Sequence, residues 1–514
     1  MAANSGTPGG PAAAAGDTAA DEAILRRQAQ RESAARTYAR SLPVVPVRAR
    51  GMTVEGADGR RYLDCLSGAG TLALGHNHPV VLEAIRGVLD SGAPLHVLDL
   101  ATPLKDEFTT ALFETLPPEL AAHGRVQFCG PAGTDAVEAA VKLVRTATGR
   151  AGLLAFSGAY HGMTAAALAA TGDVSLRATV GAGDAGVTRL PYPYDYRCPF
   201  GVGGERGARL AARWTEHLLD DPKGGVQPPA AMLLEPVQGE GGVIPAPDAW
   251  MRRMREITAD RGIPLIADEV QTGVGRTGTF WAVERSGIVP DVMVLSKAIG
   301  GSLPLAVIVY HEELDVWRPG AHAGTFRGNQ LAMAAGAATL RYVLRNALHE
   351  RAEEVGARML GRLRELAADH ACVGDVRGRG LMIGVELVDP GGEPDDAGAL
   401  PAAPRLAARV QQEALRRGLI VELGGRHSAV VRLLPPLTIT DEQADAVLDR
   451  LASAVEAAWA AEADGPAGPP PPRPSVVVAS GGPRAPLRAQ AGAGQASSAT
   501  TPGRPAEPTR GAPA

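Results

Sequence analysis

The sequence predicts an α/β protein with a mainly parallel sheet. Apolar runs alternate with helical patterns along most of the chain, as in sheets covered by helices. Three short runs are continuously apolar, as expected for strands buried on both faces: AAMLLEP (230–236), GIPLIADE (262–269) and PDVMVLSK (290–297). The spacing of a helix packed on such a sheet is followed by Val137, Ala140, Val141 and Val144.

Both ends of the chain are predicted to be unstructured. Residues 1–35 are rich in alanine, glycine and small polar residues, and residues 463–514 are dominated by proline, alanine, glycine and serine. Such segments bury too little apolar surface to offset the entropy lost on ordering. A recruitment motif inside the second tail remains an alternative.

Composition narrows the class of protein. With 514 residues, 45% of them hydrophobic, the chain is long enough for more than one domain. A net charge of -5 offers no basic surface for nucleic acid. The four cysteines form no CxxC pair, the N-terminus does not resemble a secretory signal, and no apolar run reaches the ~18 residues of a membrane span. We therefore expect a soluble cytoplasmic protein that does not bind membranes.

The three buried runs all end in ionisable residues, namely Glu235, Asp268 with Glu269, and Lys297. Ligands of open α/β sheets bind beyond the carboxyl ends of the strands. The pattern therefore predicts a polar catalytic site at that edge.

The type of chemistry is predicted mainly from Lys297 and Asp268. A lysine partly removed from water has a lowered pKa and can form a Schiff base. Pyridoxal 5'-phosphate (PLP) also requires a carboxylate beside its pyridine nitrogen, and Asp268 ends the run preceding that of Lys297. The alternatives are a solvent-facing lysine at a strand end, and a helix cap or structural salt bridge for Asp268.

Other residues suit the same chemistry. Gly133 and Thr134 precede a strong helix, whose N-terminus favours an anion such as phosphate, and Thr325 offers a further hydroxyl. Tyr160 could stack on a ring, and Arg432 could grip a carboxylate. The alternatives are a plain helix cap, a core tyrosine and a structural ion pair. No cluster of residues has the spacing of metal ligands.

Eight segments together resemble the class III aminotransferases, a branch of the fold-type I PLP enzymes. They lie between about residues 42 and 460 and occur in the family's order: LSGAGTLALGHNHP, GPAGTDAVEAAVKLVR, AYHGM, LLEPVQGEGG, IADEVQTGVGRTG, VLSKAIGG, HAGTFRGNQ and RLLPPL. The resemblance implies a large domain with a mostly parallel, seven-stranded sheet. It also implies a smaller α+β domain built from both chain ends, so we expect a large domain at 101–345 and a small one from 36–100 and 346–462.

The resemblance also implies roles for single residues. Lys297 matches the lysine that forms the Schiff base with PLP and moves the proton, and Asp268 matches the partner of the pyridine nitrogen. Glu240 matches a switching glutamate that pairs with Arg432 until a 2-oxo acid arrives. The remaining matches are Gln271 beside the phenolic oxygen, Tyr160 in stacking, Gly133 and Thr134 at the phosphate, and Thr325 as a phosphate ligand from the neighbouring subunit.

A contribution from the neighbour implies a homodimer with shared active sites. Within the family, the sequences of these motifs are most similar to those of enzymes that act on L-2,4-diaminobutyrate and 2-oxoglutarate. The implied reaction interconverts these two compounds with L-aspartate 4-semialdehyde and L-glutamate, as in siderophore or peptide biosynthesis. Alternatives are another amino donor (ornithine, lysine, 4-aminobutyrate or a β-amino acid), an aminomutase, or a non-enzymatic scaffold. Arg327 departs from the family pattern, and we expect it to bind the donor's carboxylate or to brace the dimer.

Overall fold

The computed structural model describes residues 15–178 and 186–463. The helices are α1 (Ala15–Arg31), α2 (Tyr38–Ser41), α3 (Pro79–Ser91), α4 (Pro103–Phe113), α5 (Pro118–His123), α6 (Gly133–Thr148), α7 (Ala165–Ala170), α8 (Val174–Ala178), α9 (Gly204–Asp220), α10 (Asp248–Ala259), α11 (Gln330–Arg345), α12 (Leu348–Asp369), α13 (Pro404–Arg416) and α14 (Asp441–Ala463). Short 3₁₀ helices occupy Ala282–Ser286, Lys297–Gly300, Glu312–Leu314 and Thr325–Gly328.

The strands are short, as is usual where they are buried on both faces. They are β1 (Pro46–Arg50), β2 (Thr53–Gly56), β3 (Arg61–Asp64), β4 (Gly124–Phe128), β5 (Leu153–Phe156), β6 (Val187–Leu190), β7 (Ala231–Leu234), β8 (Val237–Gln238), β9 (Ile244–Pro245), β10 (Leu265–Asp268), β11 (Val292–Leu295), β12 (Val307–His311), β13 (Val373–Arg379), β14 (Met382–Leu387), β15 (Leu419–Ile420), β16 (Glu422–Gly424) and β17 (Val430–Leu433).

A seven-stranded sheet in the order β4-β12-β11-β10-β7-β5-β6 forms the centre of the fold. Strand β12 runs antiparallel to both of its neighbours, while β11, β10, β7, β5 and β6 are parallel to one another. The predicted α/β class with a mostly parallel sheet is therefore confirmed. The three apolar runs are the adjacent strands β7, β10 and β11.

Both faces of this sheet are covered. On β11, Val292 and Val294 pack in one apolar cluster with the buried residues of α6, whereas Met293 and Leu295 belong to a second cluster. Successive side chains of a strand point to opposite faces. A strand between two apolar layers therefore reads as a continuous apolar run rather than an alternating one.

Two smaller sheets surround the central one. Strands β13, β14, β17 and β16 form an antiparallel sheet, and β1, β2 and β3 are joined by β15 from far along the chain. The parallel pairing of β15 with β3 sets Leu419 beside Leu63. The two ends of the chain thus share one sheet, as expected for a smaller unit built from both.

The expected N-terminal tail is partly helical. Residues 15–31 form α1, so the expectation of an unstructured segment up to residue 35 is wrong there. Alanine, glutamate, glutamine, leucine and arginine have high helix propensity, and this outweighs the poverty of the segment in large apolar residues. The expected C-terminal tail lies outside the described residues, except Ala463 at the end of α14.

Candidate active site

Lys297 lies where the sequence places it, just beyond the carboxyl end of β11. Its backbone is in the left-handed region with φ of 50°, which is uncommon for a side chain other than glycine or asparagine. It lines a cavity of about 260 Å³ together with Asp268, Glu240 and Tyr160. Burial lowers the pKa of Lys297 despite the opposing charge of Glu240, so this ammonium loses its proton more readily than that of an exposed lysine.

Asp268 is held rigidly at the end of the neighbouring strand. The parallel register pairs Asp268 with Val294, three residues before Lys297. Its carboxylate, 6% exposed, lies 2.8 Å from Nδ1 of the fully buried His161, and it also accepts the backbone N–H of Val270 at 3.1 Å. Burial acts to lower the pKa of His161, but the hydrogen bond and charge of Asp268 raise it above its usual value. This pairing fixes the carboxylate facing the cavity.

The N-terminus of α6 opens onto the same cavity through Gly133 and Thr134. The first turn of a helix has backbone N–H groups without intrahelical acceptors, which suits an anion. The hydroxyl of Thr134 lies 2.6 Å from that of Thr164. A side chain at position 133 would place its Cβ 3.0 Å from Val270 Cγ1, so any residue other than glycine would require Val270 to shift.

Tyr160 and Gln271 also line the cavity. The backbone N–H groups of Tyr160 and Gly239 each donate to Glu235 at 3.0 Å, and burial raises the pKa of that carboxyl to about 7. The amide of Gln271 donates to the backbone oxygen of Ala69 at 3.1 Å. Glu235 and Gln271 therefore tie the cavity walls to one another.

Arg432 is completely buried on β17 and contacts Glu240, whose Oε1 lies 2.7 Å from Nη1. It also donates from Nη2 to Gln271 Oε1 at 3.0 Å. Burial acts to raise the pKa of Glu240, but the guanidinium lowers it below its usual value. The arginine, the glutamate and the cavity of Lys297 are thus one continuous site.

Thr325 is the predicted residue that does not join this group. It is exposed at the start of a 3₁₀ helix and does not line the cavity. Nearby Arg327 makes an ion pair of 2.6 Å with Asp99 and donates to the backbone oxygen of His322 at 3.2 Å. The side chain of Arg327 is thus engaged within its own chain.

Sequence reasoning missed four residues of the site. His161 belongs to the AYHGM segment, in which only Tyr160 was predicted to contact the cofactor. Glu235 was predicted only to end a buried strand. Glu422 and Tyr38 are distant from the other motifs in the chain, so no spacing could have connected them to Arg432. A glutamate in the apolar segment before Arg432 was the available signal for Glu422.

A candidate metal site and a membrane-spanning helix are both absent from the described residues. Within residues 15–178 and 186–463, no three histidine, cysteine or acidic side chains are grouped to hold a metal ion. Across the same residues, no helix combines the length and hydropathy needed to cross a bilayer.

Comparison with known proteins gives consistent matches. Residues 34–455 match the model of the family described as aminotransferase class-III. A diaminobutyrate–2-oxoglutarate aminotransferase of Rhizobium meliloti (strain 1021) is 57% identical over 438 residues, covering 85% of this chain and 93% of the relative. A protein of the same name from Haemophilus influenzae is 47% identical over 437 residues, covering 85% of this chain and 96% of the relative.

Solved structures give the same picture of the fold. An (S)-enantioselective omega-transaminase from Thermomicrobium roseum superposes with a TM-score of 0.75 at 29% identity, covering 85% of this chain and 98% of that one. An amine transaminase from an uncultivated Pseudomonas species, in a PLP-bound form, superposes with a TM-score of 0.74 at 30% identity, covering 84% and 98%.

Proposed function

The chain belongs to the class III aminotransferases, and we propose that it transfers the terminal amino group of L-2,4-diaminobutyrate to 2-oxoglutarate. The products are L-aspartate 4-semialdehyde and L-glutamate. The observation that carries the donor is the 57% identity, over nearly the whole relative, to a diaminobutyrate–2-oxoglutarate aminotransferase. The alternative is another terminal amine within the same family.

The residues of the cavity fit PLP, the cofactor of this family. A buried lysine with a lowered pKa, a buried carboxylate held by hydrogen bonds and a helix N-terminus meet at one cavity, as the aldehyde, pyridine nitrogen and phosphate of PLP require. Lys297, Asp268 and the first turn of α6 would hold the group, with Tyr160 and Gln271 against its ring. When bound, PLP accepts the electrons released as the substrate carbon loses its proton.

The protein's own residues then position and move protons. Lys297 Nζ is the base that takes the proton from the substrate carbon and returns it, and the burial that lowers its pKa suits it to this role. Asp268, held by His161 and Val270, would keep the ring nitrogen of the bound cofactor protonated. A group fixed in advance spends no free energy on reorientation during the reaction.

Arg432 and Glu240 allow one site to take two unlike substrates. A diamine donor has no carboxylate on the reacting carbon, so Glu240 stays on Arg432 while the donor is bound. The acceptor has one there, and it replaces Glu240 on the guanidinium. The exchange keeps a carboxylate close to Arg432 at the substrate end of the site in both half-reactions.

A homodimer is the proposed assembly. A mainly apolar groove of about 1060 Å³ runs between α3, α4 and α11. Beside it, Leu98, Leu100 and Phe326 are 50%, 66% and 64% exposed. The backbone N–H of Val97 donates to the oxygen of Gly328, so the exposed apolar residues and Thr325 belong to one surface. A second copy seated there would bring Thr325 to its partner's phosphate site.

The proposed division into domains follows the sheets. The central sheet belongs to a large domain at 101–345, and residues 36–100 with 346–462 form the smaller one. The four free cysteines support the proposed cytoplasmic location, because thiols persist in a reducing compartment.

An absorbance titration tests the function. Diaminobutyrate added without acceptor should abolish the visible band of the bound cofactor, and 2-oxoglutarate should restore it. Lys297→Ala should show no such cycle. A band that ignores diaminobutyrate but responds to ornithine or 4-aminobutyrate would replace the donor, and a protein that binds no PLP would overturn the proposal.

A further inference from the structure

Arg432 has a second carboxylate partner, Glu422. Strands β16 and β17 pair antiparallel with Glu422 directly opposite Arg432, so both side chains leave the same face of the sheet. Glu422 Oε2 lies 3.3 Å from Arg432 Nη1, the nitrogen that also contacts Glu240. The register of the sheet, rather than a flexible loop, sets this contact.

The two carboxylates differ in freedom. Glu240 lies in the loop between β8 and β9, and its side chain is 37% exposed. The side chain of Glu422 is 6% exposed, and its Oε1 accepts the hydroxyl of Tyr38 at 2.6 Å. Burial raises the pKa of Tyr38, and Glu422 raises it further, so the hydroxyl stays a donor. The side chain of Glu240 is therefore able to leave Arg432, whereas the side chain of Glu422 is held beside it.

Glu422 also retains unused capacity to accept a hydrogen bond. Its Oε2 is buried and accepts none from the described residues, although Arg432 lies nearby. Buried carboxylate oxygens without donors are costly, so such an atom marks a place for one. Arg432 Nη1 joins Glu422 to Glu240, and Glu240 lines the cavity of Lys297, so geometry connects the unused oxygen to the site.

The charges of the group favour a cationic donor. Two carboxylates share one guanidinium, which leaves one negative charge in excess when both carboxylates are ionised. Burial raises the pKa of Glu422, and a nearby ammonium group would stabilise its ionised form. L-2,4-diaminobutyrate carries two ammonium groups and one carboxylate, whereas 4-aminobutyrate is the same molecule without the second ammonium. The excess charge therefore complements the diamine and has no partner on the monoamine.

We propose that Glu422, held by Tyr38, determines donor specificity by accepting a hydrogen bond from the second ammonium group of the diamine. The inference rests on the proposed function and deepens it. Glu240 still serves the exchange with the acceptor, and Glu422 supplies the preference for donors that carry two amines. The hydroxyl of Tyr38 occupies Oε1 and leaves Oε2 as the oxygen that can accept this hydrogen bond.

The matched pair of donors isolates this contact. We would measure kcat/KM for L-2,4-diaminobutyrate and for 4-aminobutyrate with PLP-loaded wild type, Glu422→Gln and Tyr38→Phe. Glu422→Gln would replace a hydrogen bond between two charged groups with one to a neutral amide. The ratio of kcat/KM for diaminobutyrate to that for 4-aminobutyrate should therefore fall about 10- to 100-fold. It should fall a few-fold in Tyr38→Phe. The exposed Glu365→Gln is the control and should keep the wild-type ratio.

Each outcome decides between supporting and overturning the inference. An equal loss with both donors, or a weaker apparent affinity for the acceptor alone, would show that Glu422 only braces Arg432 and would overturn it. If Glu422→Gln does not fold, Tyr38→Phe decides, because it removes a single hydroxyl and an unchanged ratio would overturn the inference. If the wild type acts on other amines but not on diaminobutyrate, both the proposed function and the inference are overturned. If the wild type acts on diaminobutyrate but the variants keep its ratio of kcat/KM values, only the inference is overturned.

Discussion

Adjacent carboxylates at the end of β10 have different environments. Asp268 faces the cavity and pairs with His161, whereas Glu269 accepts the backbone N–H of Val283 at 2.9 Å and the hydroxyl of Thr272. Burial raises the pKa of Glu269 to about 7. Successive side chains of a strand point to opposite faces, so one residue reaches the site and the next is enclosed in the core.

Asp268→Asn should remove the charge facing the ring nitrogen while keeping the shape of the side chain. We expect kcat to fall by about 10²- to 10⁴-fold, the range typical of a lost proton-handling group. Steady-state kinetics of the PLP-loaded enzyme would measure it, with the exposed Asp441→Asn as control. A kcat within threefold of wild type would contradict the proposed role.

Glu269→Gln should change how stability depends on pH. A carboxyl whose pKa rises from 4.5 to about 7 on folding contributes stability below pH 4.5, and this is lost as pH rises through about 7. The loss is on the order of 3 kcal/mol by pH 8, since one pKa unit corresponds to about 1.4 kcal/mol. The Tm of Glu269→Gln relative to wild type should therefore increase between pH 5 and 8. A difference in Tm that stays constant over this range would refute the assignment.

At the scale of the element, α12 offers two glycines in contrasting surroundings. A Cβ at Gly356 would collide with the backbone oxygen of Gly380, whereas one at Gly361 would meet no atom within 4 Å. Gly361→Ala should stabilise the protein by up to about 1 kcal/mol, because alanine has the higher helix propensity. Gly356→Ala should destabilise it by about 1–3 kcal/mol through overpacking.

Thermal unfolding of the two variants under one set of conditions would measure this contrast. Each serves as the control for the other, because both carry the same substitution in the same helix. Equal shifts of Tm, in either direction, would contradict the described packing of α12 against Gly380.

For the whole molecule, the proposed sharing of active sites predicts subunit complementation. Thr325→Ala should raise the PLP concentration needed for activity about tenfold, as expected for one lost hydrogen bond to a phosphate. In a hybrid dimer of one Thr325→Ala subunit and one Lys297→Ala subunit, only one site retains Lys297. That site receives an intact Thr325 from the other chain. That site should regain the wild-type PLP requirement.

Hybrid dimers purified through two different affinity tags would allow the measurement. A hybrid that still needs as much PLP as Thr325→Ala alone would show that Thr325 acts within its own chain. Sedimentation at micromolar concentration supplies the control for assembly, since a monomer would exclude any sharing of sites.

The sequence by itself determined the class of fold and the centre of the chemistry. Buried strands must be continuously apolar, and ligands lie at their carboxyl ends, so local pattern was sufficient to place Lys297 and Asp268 on adjacent strands. The family motifs added Glu240 and Arg432, which the structure places 2.7 Å apart. Composition, in contrast, misjudged residues 15–31, because low hydrophobicity does not exclude a segment of high helix propensity.

Only the tertiary structure decided which distant residues complete the site. Tyr38 lies in α2 near the N-terminus and Glu422 in β16 near the C-terminus, yet they meet at 2.6 Å beside Arg432. His161 becomes the partner of Asp268 in the same way, through the packing of a loop beside β10. The physical reason is that periodicity and propensity report neighbours within an element, whereas these contacts arise from packing between elements that are far apart in the sequence.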